Sequence, residues 1–197
     1  MGDRMQGKVA LVTGGAEGLG EAIGRLIVAE GGSVMLADIQ IAKAQAVAGD
    51  LGERATAIEL DVRDLAQWDR AVAATVQHFG KLNVLCNVAG ISEPGNVIEV
   101  DLDSWKRTID INLNGTFHGC RAALPAMEAS GENGAIVNMG SMIAMRPGAM
   151  FASYAASKAG VAALTKSIAL DCAARGVPIR ANLVHPGAIR TDRKSVV

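Results

Sequence analysis

KVALVTGGAEGLGEAIGRLIVAEGGSVMLAD, residues 8–38, reads as three elements in succession. Residues 8–14 form a short, nearly continuous apolar run rich in β-branched side chains, as a strand buried on both faces requires. Residues 18–30 place apolar side chains at helical spacing, and Gly31-Gly32 then ends the helix as a C-cap signal. A second apolar run, 33–38, ends in Asp38. Between the first strand and the helix stands 13-TGGAEGLG-20. Glycine at 14, 18 and 20 permits a tight turn, and it lets the backbone come close to a pyrophosphate at the helix N-terminus. A glycine pattern alone is weak; its position between this strand and this helix gives it weight.

The same alternation continues outward. Further apolar runs lie at 56–61, 82–90, 134–141 and 179–187, with helical patterns at 41–51, 64–79, 101–129 and 153–175. Asp64 is placed to cap the third helix. Right-handed crossovers between successive strands then give an α/β fold, a parallel sheet with helices on both faces; read as a doubly wound sheet of Rossmann type, its six strands are expected in the order 3-2-1-4-5-6. Residues 1–197 contain no linker, repeat or low-complexity stretch and are read as one domain.

Composition excludes several roles. Net charge is −1, only 3% of residues are aromatic, and no long basic run occurs, so neither nucleic acid nor an anionic membrane surface is indicated. The N-terminus has no leader pattern, and no apolar run reaches membrane-spanning length. Cys86, Cys120 and Cys172 are too far apart for a metal pattern and read as small buried hydrophobes, which suits a reducing cytoplasm.

Ligands of such sheets gather at the carboxyl ends of the strands. Asp38 there is suited to accept hydrogen bonds from adenosine ribose hydroxyls. Together with Glu17 it would repel a 2′-phosphate, which favours NAD over NADP. No lysine or arginine occupies either position in the sequence. Asp61 and Val62 end the third strand, where an acid suits an adenine amino group, and 87-NVAG-90 ends the fourth with small residues that allow close approach.

A second constellation carries chemistry. Tyr154 and Lys158 in 154-YAASK-158 share a helix face. An ammonium beside a phenol favours the phenolate, and a tyrosine tuned in this way exchanges protons at neutral pH. Hydride transfer between an alcohol and a ketone needs such a group. Ser141 ends the fifth strand and is expected to bond the substrate oxygen beside Tyr154. Asn112 lies in a helix it does not favour and is expected to open it locally and hold a water. His185 reads as structural, while Pro186-Gly187 makes a fixed turn after the sixth strand and Thr191 could bond a carboxamide.

Taken in order, 13-TGGAEGLG-20, Asp38, Asp61, 87-NVAG-90, Asn112, Ser141, 154-YAASK-158 and 186-PG-187 resemble the short-chain dehydrogenase/reductase family in its shorter, single-domain form, from about Lys8 to Asp192. The resemblance implies an NAD-dependent oxidoreductase that interconverts a secondary alcohol and a ketone, the alcohol being small, cyclic or steroid-like. Tyr154 would be the general acid and base. Lys158 would tune it and bind the nicotinamide ribose, Ser141 would steady the substrate oxygen, and Asn112 would hold a water in a relay behind Lys158. Cofactor contacts would come from Gly14, Glu17, Gly18, Leu19 and Gly20; from Asp38 and Ile39; from Asp61 and Val62; from Asn87, Ala89 and Gly90; and from Pro186, Gly187, Ile189 and Thr191. No metal is expected.

The family also implies a homodimer or homotetramer, paired through the helices of Asn112 and Tyr154, with Phe117, Leu124 and Met127 along one of them. Two departures stand out. Val88 replaces the second asparagine of the usual motif. After Asp192 the chain resembles nothing in the family, whose members continue into a substrate-covering segment and a seventh strand. The sixth strand is accordingly expected at the sheet edge, prone to pairing with another chain, and the pocket is expected to be open and turnover low. The alternatives are a truncated, non-catalytic NAD-binding protein and an oxoacyl carrier reductase. An epimerase or dehydratase would carry a different glycine spacing and a large second domain.

Overall fold

A computed structural model describes residues 2–189. Strands β1 (Val9–Thr13), β2 (Ser33–Asp38), β3 (Ala55–Glu59), β4 (Val84–Asn87), β5 (Gly134–Met139) and β6 (Ile179–Val184) form one parallel sheet in the order β3-β2-β1-β4-β5-β6. The helices are α1 (Gly18–Ala29), α2 (Ile41–Leu51), α3 (Leu65–Phe79), α4 (Leu102–Ile109), α5 (Gly115–Ala129) and α6 (Ala152–Ala174). Fold class and strand order agree with the sequence reading, whereas the runs at 82–90 and 179–187 are pared to β4 and β6 and the helix expected over 101–129 is broken into α4, a wider turn and α5.

Burial follows position in the sheet. Every residue of central β1 is buried, whereas the outer strands β3 and β6 are only partly covered. Two apolar layers result, one on each face. Leu11, Trp68, Leu82, Leu85 and Ile136 belong to the layer under α3 and α5, while Val12, Ile27, Val34 and Leu36 belong to the layer under α1 and α2. Each such side chain contributes about 1.5–3 kcal/mol by leaving water. The three cysteines are buried and free. Burial pushes the Cys86 and Cys120 thiols up to about 12, so neither ionises at neutral pH.

The caps hold as read. Gly31 adopts φ +88° after α1, and the Asp64 carboxylate accepts from the backbone N–H groups of Ala66 and Gln67 at the start of α3. Asn112 does open its helix. Residues Asp110–Asn114 form a π-helical turn between α4 and α5, a wider turn typical of functional positions in helices. Among the described residues no helix is long and apolar enough to cross a membrane.

Candidate active site

The pocket beside the first crossover lies at the carboxyl ends of β1 to β4. It measures about 240 Å³ and is lined by Gly14, Asp38, Ile39, Gln40, Leu60, Asp61, Val62, Arg63, Ala89, Gly90, Ile91 and Ile111. Seven of these are residues singled out from sequence. Gly14 adopts φ +69°, and a Cβ there would lie 3.2 Å from the Ala89 backbone; at Gly20 a Cβ would stand 2.0 Å from the Gly14 carbonyl oxygen. Both positions therefore exclude a side chain. Glu17 precedes α1 in extended conformation and makes no side-chain cap, so the N–H groups of the first turn are not satisfied by a capping side chain there. Gly18 and Leu19 stand on that turn, half-buried.

Asp38 is buried, and its carboxylate accepts from Ala16 N at 3.1 Å and from Gln40 N at 2.9 Å. The acid thus ties the glycine loop to the end of β2. Each carboxylate oxygen keeps a further lone pair for another donor. Thr13, given no role from sequence, does similar work on the other side. Its hydroxyl accepts from the backbone N–H groups of Val88 and Ala89 and holds the 87–90 segment against β1.

Two cations enter where sequence reading found none. Lys43 of α2 donates to Glu17 at 3.2 Å, and Arg63 pairs with both oxygens of Asp61. Hydrogen bonds from Arg63 hold the Asp61 carboxyl below its usual range. This end of the site is therefore less uniformly acidic than the sequence suggests, and the Asp61 carboxylate is committed first to Arg63. Val62 is fixed through its carbonyl, which accepts from the buried indole N–H of Trp68 at 3.0 Å. Asn87 is turned away from the pocket: its amide donates to Asn138 Oδ1 at 2.8 Å, and that asparagine in turn donates to Thr165. It braces β4, β5 and α6.

At the other end, Lys158 is buried and donates to the Met139 carbonyl oxygen at 2.8 Å, the last residue of β5. Its Nζ lies 5.7 Å from the centroid of the Tyr154 ring. Gly90 brings the two sub-sites together, because a Cβ there would meet Asn112 Oδ1 at 3.0 Å and Lys158 Nζ at 3.4 Å. The Asn112 side chain accepts from Ile91 N and donates to Ile91 O and to Ser157 Oγ. Both amide hydrogens are used by the protein itself, so any water here would have to bond a carbonyl lone pair.

Ser141 caps the short turn Met142–Ala144, which packs on α6; its hydroxyl accepts from Ile143 N at 3.3 Å. His185 holds this residue in place, with Nδ1 2.7 Å from Ser141 O and 3.2 Å from Ser141 N. The structural reading of His185 fits that geometry. Pro186 accepts from Met142 N at 3.1 Å, while Gly187 and Ile189 are exposed. Thr191 lies outside the described residues. Among the described residues no group of three or more His, Cys, Asp or Glu is gathered as a metal site.

The pieces fit a dinucleotide: a loop without side chains at Gly14 and Gly20, an open helix N-terminus, a buried acid at the second strand end and a pocket wall beyond it. Comparison with known proteins agrees. The family model for short chain dehydrogenases matches residues 8–197. A 3-beta-hydroxysteroid dehydrogenase of Comamonas testosteroni is 43% identical over 97% of this chain and 74% of its own length. The 2,5-dichloro-2,5-cyclohexadiene-1,4-diol dehydrogenase LinX of Sphingobium indicum is 42% identical over 97% of this chain and 76% of its own. A trans-4-hydroxycyclohexanecarboxylate dehydrogenase of Sinomonas cyclohexanicum is 40% identical over 96% and 75%. Fold, glycine loop and these likenesses together establish that the chain belongs to the short chain dehydrogenase family, as an NAD-linked oxidoreductase.

Proposed function

We propose that this enzyme interconverts a secondary alcohol and a ketone on a cyclic or steroid-like skeleton. The observation that carries the reading is the buried Lys158 ammonium, held by the Met139 carbonyl under the Tyr154 ring beside Gly90. The similar proteins named above act, by their names, on hydroxyls of steroid or six-membered rings. Exposed Met142, Met145 and Met150 stand between Ser141 and Tyr154, and flexible thioethers suit an apolar substrate of variable shape.

Bound along the pocket, the cofactor would supply the hydride chemistry, as acceptor in its oxidised form and as donor in its reduced form. Gly14, Glu17, Gly18, Leu19 and Gly20 would hold the pyrophosphate side; Asp38 and Ile39 the adenosine ribose; Asp61 and Val62 the adenine; Ala89 and Gly90 the central stretch; and Pro186, Gly187, Ile189 and Thr191 the nicotinamide side. Tyr154 removes the alcohol proton in oxidation and returns it in reduction. Lys158, with its Nζ 5.7 Å from the centroid of the Tyr154 ring, would bind the nicotinamide ribose. Ser141, fixed by His185, donates to the substrate oxygen. Asn112 anchors the Ile91 backbone and so shapes the wall behind Lys158. Exposed Phe117 on α5 and Leu170 on α6 support pairing of two copies through these helices, whereas Met127, also expected on that face, is buried in the core.

Turnover with cyclohexanols, hydroxysteroids and an acyl-carrier ketone, each with NAD and with NADP, tests the reading beside calorimetric NAD titration. Slow oxidation of the ring alcohols with NAD is expected. NADP preferred on the acyl-carrier ketone would identify an oxoacyl reductase, and stoichiometric NAD binding with no turnover on any substrate would identify a non-catalytic binder.

A further inference from the structure

Three buried hydroxyls have no hydrogen-bond partner among the described residues. They are Ser92 Oγ, Thr108 Oγ1 and Ser153 Oγ, all shielded from solvent, and Thr108 and Ser153 are 0% exposed. Their placement in the fold is not scattered. Thr108 precedes Asn112 by four residues and Ser153 precedes Ser157 by four, so each pair lies along one helix face. α4 and the π-turn both pack on α6. The rung formed by Asn112 and Ser157 is closed directly at 3.0 Å, which leaves Thr108 and Ser153 on the neighbouring rung. Ser92 follows Ile91, whose N–H and carbonyl are both bonded to Asn112.

We propose that this seam is an internal water-binding site, its ligands the hydroxyls of Ser92, Thr108 and Ser153. Each hydroxyl has one hydrogen to give and two lone pairs. A water has two of each, and buried waters in proteins typically make about three hydrogen bonds to groups of this kind. Three hydroxyls brought together along this seam would meet that requirement with no charge involved. The site would add to the ties between the 91–95 loop and α6. The 91–95 loop meets the start of α6 through Gly95 N donating to Met150 O at 2.7 Å and Ala152 N donating to Gly95 O at 3.1 Å. A water on Ser92 and Ser153 adds a third tie at the residue directly before Tyr154.

The test is a double-mutant cycle on the full chain, read by thermal unfolding, with a high-resolution crystal structure of the unmutated protein. Thr108→Val keeps the β-branched shape and removes only the hydroxyl. Ser153→Ala gains helix propensity, so any loss of stability runs against the local preference. Each single variant is expected to lower the unfolding midpoint by about 2–4 °C. The double variant should lower it by little more than the larger single, because both hydroxyls serve one water. Thr108→Ser should restore most of the loss, and the crystal should show one ordered water within hydrogen-bond distance of all three oxygens. Unchanged or raised midpoints, effects that simply add, or a dry seam with the hydroxyls bonded to one another would overturn the proposal.

Discussion

The two ends of the sheet use polar residues in opposite ways. At the amino end, Asn83 is fully buried: its side chain accepts from Val9 N at 3.1 Å and donates to Glu132 at 3.2 Å. Glu132 in turn accepts from Lys8 at 2.9 Å and Lys81 at 2.5 Å. These groups bond one another and close the entry of β1, β4 and β5. At the carboxyl end, Asp38 and Gly90 line a pocket, and Tyr154 keeps partial access to solvent. Polar groups that satisfy each other stabilise a fold; polar groups aimed at a cleft are available to a ligand. One end therefore governs stability and the other chemistry, and substitutions should separate them.

The largest effect is expected at the carboxyl end. Tyr154→Phe keeps the ring and removes the proton donor, so turnover should fall by roughly 10²–10⁴-fold with NAD affinity and unfolding midpoint unchanged. Steady-state kinetics beside calorimetry measures this, and near-normal turnover would end the assignment. Asp38→Ala comes next. It removes a charged acceptor, which costs about 1.5–3 kcal/mol of binding; NAD should weaken accordingly and the gap between NAD and NADP should narrow. Equal affinity for both cofactors before mutation would remove Asp38 from the specificity argument.

At the amino end, Asn83→Ala leaves the Val9 N–H buried without its acceptor. A loss of about 1–3 kcal/mol in unfolding free energy is expected, with KM for NAD unchanged; a KM shift larger than the stability loss would show that the two ends are coupled. The smallest effect concerns pH. Hydrogen bonds from Lys81 and Lys8 lower the Glu132 carboxyl from 4.5 to about 2. A carboxyl depressed in the folded state stabilises the fold above its unfolded value, and loses that contribution as pH falls from about 4.5 toward 2. Glu132→Gln should flatten the unfolding midpoint across that window, and an unchanged acid slope would place the sensitivity elsewhere.

The chain's own order of residues was enough for the alternation of strands and helices, the glycine loop, the Asp64 cap, the Gly31 terminator and the Tyr154–Lys158 face. All of these rest on local geometry: helical and strand periods, backbone sterics and short capping distances. Other features needed the folded molecule. Strands buried on both faces lose the alternation that tells one side from the other, so nothing in 87-NVAG-90 announced that Asn87 turns inward to Asn138 while Ala89 and Gly90 face the pocket. The Lys43–Glu17 pair spans 26 residues and depends on where the second crossover lays α2. Arg63 carried a weak signal, two residues from Asp61, yet only the fold shows it lining the pocket. The sequence foretold a disturbance at Asn112; the packing of the 91–95 loop against α6 decided that its amide would be spent on Ile91 and Ser157. Local chemistry reaches a few residues along the chain, and contacts between elements are set by how the sheet twists and the helices cross it.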